Sequence, residues 1–300
     1  MKRKQSGFKI MMRLIKLVKP LAFFMVLAVI LGVTGFLCAI QITVLGSMTL
    51  LTAAGINGGL AIKTGCICII IFAVLRGFLH YGEQACNHYI AFKLLALIRD
   101  KVFKSLRRLT PAKLEGKDKG NLISLITSDI ELLEVFYAHT ISPICIAFLT
   151  SLVMLIFIGK YSIWLMLAAL AAYITVGIII PLVSSKFNKN IGMTYRENSG
   201  ALSGYVLDSM RGLLESIRYN STDTRLNEMN EKTDELNSLQ KKLKKIEGHN
   251  ISITDISIIF FSITMLLVAI CLYQKGTIGF DGLIVSTVAM MSSFGPVAAL

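Results

Sequence analysis

A chain of 300 residues of which 54% are hydrophobic and only 16% charged, with mean hydropathy +0.68, carries more apolar side chain than a soluble core of that size needs. That composition excludes a soluble globular enzyme and describes a polytopic membrane protein. The formal charge of +13 does not signal nucleic acid either, because 27 of the 31 Lys and Arg residues fall into three blocks set apart by apolar runs, not into one binding patch.

The first block, Lys2 to Lys19, precedes an apolar run and looks superficially like a secretory signal. The run is too long for the hydrophobic part of a signal, lacks a small-residue cleavage site and leads into further spans, so it reads as an uncleaved first helix. Crossing about 30 Å of hydrocarbon takes about 20 helical residues. Runs that meet this requirement cover 20–43, 60–79, 141–158, 162–183, 251–273 and 280–300, which predicts an all-α membrane protein with six transmembrane helices. The connections after the first, third and fifth spans are short and rich in Gly. Those after the second and fourth are long polar excursions, and they carry the other two basic blocks. The positive-inside rule then places the N-terminus and both excursions in the cytoplasm. The expected organisation is a basic N-terminal segment over 1–19 and one transmembrane domain over 20–300, with cytoplasmic hairpins at about 90–138 and 185–249. The six cysteines all lie in or beside apolar spans, and Cys66-x-Cys68 lacks zinc-site spacing, so they read as small membrane-embedded hydrophobes.

In the second span the segment from Arg76 to His88 places an arginine, a glutamate and two histidines where apolar residues would be expected. An ionisable group at the centre of a bilayer costs roughly 2.5–3.5 kcal/mol on insertion scales, so several together imply a face turned toward a cavity. Arg76, His80 and Glu83 stand at i, i+4 and i+7, on one helical stripe. They are the candidate substrate-binding residues, with His88 further along the helix. Arg76 either meets a substrate carboxylate or pairs internally with Glu83. Glu83 either takes a substrate ammonium or neutralises Arg76, and the two histidines either sense pH, ligate a metal or haem, or are simply satisfied near the interface.

Beyond the span, Leu95, Ile98, Val102, Leu106 and Leu109 keep a three- or four-residue spacing, so the second helix is expected to continue out of the membrane as far as Thr110-Pro111. A short segment around Leu114 and Glu115 and a turn at Gly116 to Gly120 would then lead into a returning helix. The fourth span should behave alike. An apolar stripe of Leu202, Val206, Met210, Leu213 and Ile217 descends to a polar break at Tyr219 to Asp223, and the chain from Arg225 climbs back.

Six spans with large excursions after the second and fourth resemble the transmembrane domain of ATP-binding-cassette (ABC) exporters. The run from Leu109 to Asp129 is similar to their first coupling loop, where Gly-x-Leu-x-x-x-x-x-x-Asp is typical and Gly120, Leu122 and Asp129 match it. More narrowly, the segment from His80 to His88 with Phe92, Leu95 and Leu97-Ile98-Arg99 resembles the C-type subunit of the heterodimeric cysteine/glutathione exporter of cytochrome bd assembly. That family typically reads Arg-Tyr-Gly-Glu-Arg here, whereas this chain has His80 and Gln84 at the two arginine positions. The resemblance implies ATP-driven export of a small thiol or amino acid by alternating access, a second transmembrane subunit in a heterodimer, and an association with haem in which His88 would take part. It also implies coupling to a nucleotide-binding domain through Pro111, Leu114, Glu115 and Lys117 in the first hairpin, and through Asn220, Thr222 and Arg225 in the second. No Gly-x-x-x-x-Gly-Lys-Ser/Thr loop occurs in the sequence. ATP and Mg are therefore expected to act through a nucleotide-binding domain outside these residues, in cis if the chain is a fragment and otherwise in trans, with no catalytic residue in this chain. Two other readings stand beside this one: an ABC exporter for lipid, peptide or drug, and a membrane sensor or haem-handling scaffold that transports nothing.

Overall fold

Backbone in hydrocarbon finds no water, so each apolar run has to satisfy its N–H and C=O groups within its own segment, which a helix does. The computed structural model describes residues 19–56, 60–109 and 140–299, and among these every regular element is helical. Six helices are long and apolar enough to cross a membrane, as the composition demanded. In chain order, a tight turn of helix at Lys19–Leu21 leads into α1 (Ala22–Ala53). There follow α2 (Ile62–Leu109), α3 (Ser142–Gly159), α4 (Ile163–Ile174), a π-helical stretch Thr175–Ile179, α5 (Ile180–Arg211), α6 (Leu213–Arg218), α7 (Thr222–Gln274), α8 (Phe280–Ser293) and α9 (Gly295–Ala298).

Helix α1 runs ten residues past the end of the first apolar run, to Ala53. Its hydroxyls cost little in this setting because they bond backward: Thr34 Oγ1 donates to the Ile30 carbonyl at 2.6 Å and Thr49 Oγ1 to that of Leu45 at 2.7 Å. Gly55, at φ 80°, ends the helix by letting the Ile56 N–H reach back to the Leu51 carbonyl at 3.0 Å. Helix α2 is a single element of 48 residues, about 72 Å long, so the expected continuation beyond the membrane is present. The returning part of the first hairpin, with Pro111, Leu114, Glu115 and Lys117, lies outside the described residues, as does the N-terminal basic block up to Val18.

The chain divides into two compact units, Met1–Tyr173 with Ser262–Leu300, and Ile174–Phe261. In the first, α1 and α2 pack antiparallel. Their register is set at one end by Leu21, Ile90 and Leu94, all buried, with Phe24, Met25 and Ile98 around them. Further along, small residues let the two helices close together: Gly32 stands level with Glu83, and Gly35 level with Leu79. Helices α3 and α8 cover the other side of α1 with Ile146, Met154, Val285, Ala289 and Met290, all buried. Tyr173 of α4 hydrogen-bonds Ser293 of α8, closing a polar pair inside that core. The outer surface is apolar, with Phe23 and Phe78 74% and 73% exposed. In water such a surface would aggregate, whereas acyl chains solvate it.

The second unit begins with the π-helical stretch. Pro181 has no N–H for the Gly177 carbonyl, and the helix widens so that the Ile180 N–H bonds to Thr175 instead. Helices α5 and α7 then form a hairpin joined by side-chain hydrogen bonds. Asn250 of α7 donates to Ser184 of α5, Asn198 Nδ2 to Glu235 Oε1 at 2.9 Å, and Tyr205 to Glu228 Oε2 at 2.6 Å.

The two glycines of α1 are not equivalent. A Cβ at Gly32 would overlap Ile146 and approach Glu83 Cγ to 3.3 Å, whereas one at Gly35 would meet Leu79 at an ordinary 3.5 Å. Gly32→Val is expected to destabilise the protein by about 1–3 kcal/mol through overpacking, and Gly35→Ala by no more than about 0.5 kcal/mol. Thermal unfolding in detergent, followed by size-exclusion recovery, checks this; equal losses would contradict the described register.

Candidate functional site

The register of α1 on α2 decides where the charged stripe sits. Gly32 is eleven residues beyond Leu21, about 16 Å along the helix and so about halfway across the hydrocarbon if Leu21 lies at its edge. At that depth Gly32, Gly35 and Phe36 of α1 and Arg76, His80 and Glu83 of α2 line a recess of about 60 Å³. The three residues singled out by spacing therefore converge on one site, with an uncharged wall opposite them.

Within the recess, charge is unevenly distributed. Glu83 is 5% exposed, and both of its oxygens are engaged. His80 Nδ1 lies 3.0 Å from Oε2, an ion pair whenever the imidazole is protonated, and Asn87 Nδ2 donates to Oε1 at 3.0 Å. The internal pair considered between Arg76 and Glu83 is not formed. Partners three and four residues away stand beside a helical side chain, whereas one seven away is two turns distant, about 10 Å. Arg76 is exposed and has no ion-pair partner among the described residues. Asn87 is 4% exposed, and spacing alone did not single it out, although it stands four residues after Glu83. Its polarity in an apolar stretch was the available signal.

His88 does not join the recess. It is exposed on α2 and stacks on Phe92, ring centroids 6.1 Å apart. Haem would need an apolar slot for its macrocycle in front of an axial ligand. An exposed imidazole stacked on Phe92 does not by itself form such a slot.

In the second hairpin, the tip is more broken than the periodicity indicated. Gly212 ends α5, its N–H bonded to Asp208 at 2.9 Å, and the short α6 is set off from it. Asn220 follows at φ 48°, a left-handed conformation that Asn tolerates, and Thr222 opens α7. Arg225, one turn on, lies over the Tyr205 ring at 5.6 Å with Lys232 at 5.5 Å, and its Nη1 reaches Ser209 Oγ at 3.4 Å. The hydrogen bond to Glu228 holds the Tyr205 hydroxyl above its ordinary pKa. The apolar stripe expected along α5 is not buried at this end: Met210, Leu213, Leu214, Ile217 and Tyr219 are all exposed.

Six apolar helices, two of them prolonged far beyond a bilayer thickness, with a charged recess between the first two, define a multi-pass α-helical membrane protein. Residues 21–297 match the ABC transporter transmembrane region, and the chain belongs to that family. It is 43% identical over 297 residues to a probable ABC transporter ATP-binding/permease protein of Haemophilus influenzae, covering 99% of this chain and 54% of that protein. The glutathione/L-cysteine transport system ATP-binding/permease protein CydC of the same organism is 23% identical over 176 residues, 59% of this chain and 31% of that protein. An ATP-dependent lipid A-core flippase of Shewanella frigidimarina is 29% identical over 123 residues, 41% of this chain and 20% of that protein. The chain thus spans about half the length of the first of these relatives and less of the others.

Asn220→Gly is expected to leave the hairpin tip unchanged to within a few tenths of a kcal/mol, and Asn220→Val to cost about 1–2 kcal/mol because a β-branched residue resists positive φ. Hydrogen exchange over 213–225 reads the difference, and equal protection in both variants would argue against the left-handed turn.

Proposed function

We propose that this chain is the membrane-spanning part of an ATP-driven exporter that moves a small carboxylate-bearing thiol or amino acid, of the cysteine or glutathione kind, out of the cytoplasm. The observation that carries this reading is Arg76. A guanidinium with no ion-pair partner among the described residues, in a mid-membrane recess, is costly unless an anion meets it in the working cycle. Support for the thiol class comes from the similarity to the glutathione/L-cysteine transport protein and from the quoted Tyr81-Gly82-Glu83 segment.

Transport follows by alternating access. A nucleotide-binding domain, carried in cis or in trans, binds ATP with Mg and supplies the free energy. The hairpin tips, at Pro111 to Lys117 and Asn220 to Arg225, take up its movement. The exposed apolar side chains from Met210 to Tyr219, beside a rigid Tyr205–Arg225–Glu228 cluster, suit such a docking tip. Helices as long as α2 and α7 then act as levers that turn the recess from one side of the membrane to the other. A second transmembrane subunit completes the cavity in a heterodimer, and the basic blocks set the N-terminus inside at the plasma membrane.

A second reading, export of a lipid with an anionic headgroup, is favoured by the similarity to the lipid A-core flippase, since Arg76 would serve a phosphate equally well.

In the full-length assembly Arg76→Ala should still insert in the membrane but lose most substrate-stimulated ATP hydrolysis, an effect of about tenfold or more. Stimulation by cysteine or glutathione supports the first reading, and stimulation by lipid A alone supports the second. Undiminished stimulation in the variant would remove Arg76 from the site. Arg225→Glu should lower transport per ATP hydrolysed without changing substrate affinity, measured in proteoliposomes; parallel loss of binding would instead indicate misfolding.

A further inference from the structure

Two oppositely charged side chains in one recess suggest a site for a zwitterion, with Arg76 for the carboxylate and Glu83 for the ammonium. The contacts argue otherwise. Glu83 is 5% exposed, with Oε2 facing His80 Nδ1 and Oε1 receiving the Asn87 amide, each at 3.0 Å. Gly32, having no Cβ, lets α1 close directly over Glu83 Cγ. An ammonium at Oε1 would displace the buried hydrogen bond from Asn87 and leave that donor unsatisfied, and at Oε2 it would compete with His80. The rest of the lining, Gly32, Gly35 and Phe36, is uncharged and offers an amine nothing else.

We infer that the recess reads a single negative charge: Arg76 binds the carboxylate of the solute, the amine is dispensable, and Asn87 is a positioning residue that keeps Glu83 engaged and turned from Arg76. This rests on the recess being the substrate site and narrows its class to small solutes that present a carboxylate, whether or not they carry an ammonium. Asn87 holds the carboxylate on the side away from Arg76. Without it the charge of Glu83 swings toward the N-terminal turn, the direction in which helical side chains lean, and offsets the guanidinium.

The test uses the full-length protein with its nucleotide-binding domain in lipid nanodiscs, under reducing conditions, and three probes built on one thiol. Cysteine has both charges, N-acetylcysteine only the carboxylate, and cysteamine only the ammonium. Protection of Arg76 from phenylglyoxal, read by peptide mass spectrometry, reports occupancy without turnover; stimulated ATP hydrolysis is read in parallel. N-acetylcysteine is expected to protect at concentrations within about threefold of cysteine, and cysteamine not to protect at all. Protection by cysteine about tenfold better than by N-acetylcysteine, or by none of the three, would overturn the inference. Asn87→Leu should weaken protection by N-acetylcysteine about fivefold or more, and Asn87→Leu with Glu83→Gln should restore it, because glutamine has no charge to release. A double variant as weak as Asn87→Leu would make Asn87 a packing residue and overturn its positioning role. If the protection pattern holds while none of the probes stimulates hydrolysis, the single-charge recess stands and the export reading is what fails.

Discussion

A carboxylate as deeply buried as Glu83, 5% exposed, must be held by donors that come with it. Glu83 meets this condition through its own helix, with His80 three residues before and Asn87 four residues after, and much of the first unit follows from accommodating that trio. Helix α1 can lie against it only because Gly32 has no side chain to interpose, and the same closeness leaves a recess beside Gly35 and Phe36. Once Glu83 is satisfied, Arg76 is the charge left over. In the proposed export cycle a ligand anion offsets that charge.

The second unit is built on helices far longer than a membrane is thick. Helix α7 continues for 53 residues, and its polar part is tied to α5 by exposed hydrogen bonds, each individually worth little. Stiffness there comes from helical backbone and from the cluster around Tyr205, while the tip stays articulated by Gly212 and Asn220.

Much of this was legible in the sequence because hydrocarbon imposes few alternatives. The six spans, the unbroken extension of α2 and the break after Ile217 follow from length, spacing and Pro or Asn punctuation. The reach of α1 to Ala53 was not, since Gly46, Ser47, Thr49 and Thr52 dilute the apolar pattern while their backbone stays helical and three of the four can bond their hydroxyls internally. In the recess, spacing correctly put Arg76, His80 and Glu83 on one face but could not tell which of two basic residues Glu83 would take. Attraction between opposite charges suggested Arg76, and helical proximity selected His80. The wall from α1 required knowing which glycines meet which residues of α2, a tertiary fact that one helix pattern does not contain. His88 shared the stripe by arithmetic, yet eight residues carry it about 12 Å along the axis, out of the recess.

Everything functional depends on the stripe facing a water-filled, protein-lined space and not acyl chains. In a cysteine-free background, single cysteines at positions 76 and 80 can be compared with one at Phe78, which lies on the lipid-exposed surface of the same helix. A water-soluble methanethiosulfonate reagent should modify positions 76 and 80 readily and position 78 hardly at all. Should all three resist that reagent and react alike with a lipid-dissolved maleimide, the stripe faces the bilayer and the account of the recess is wrong.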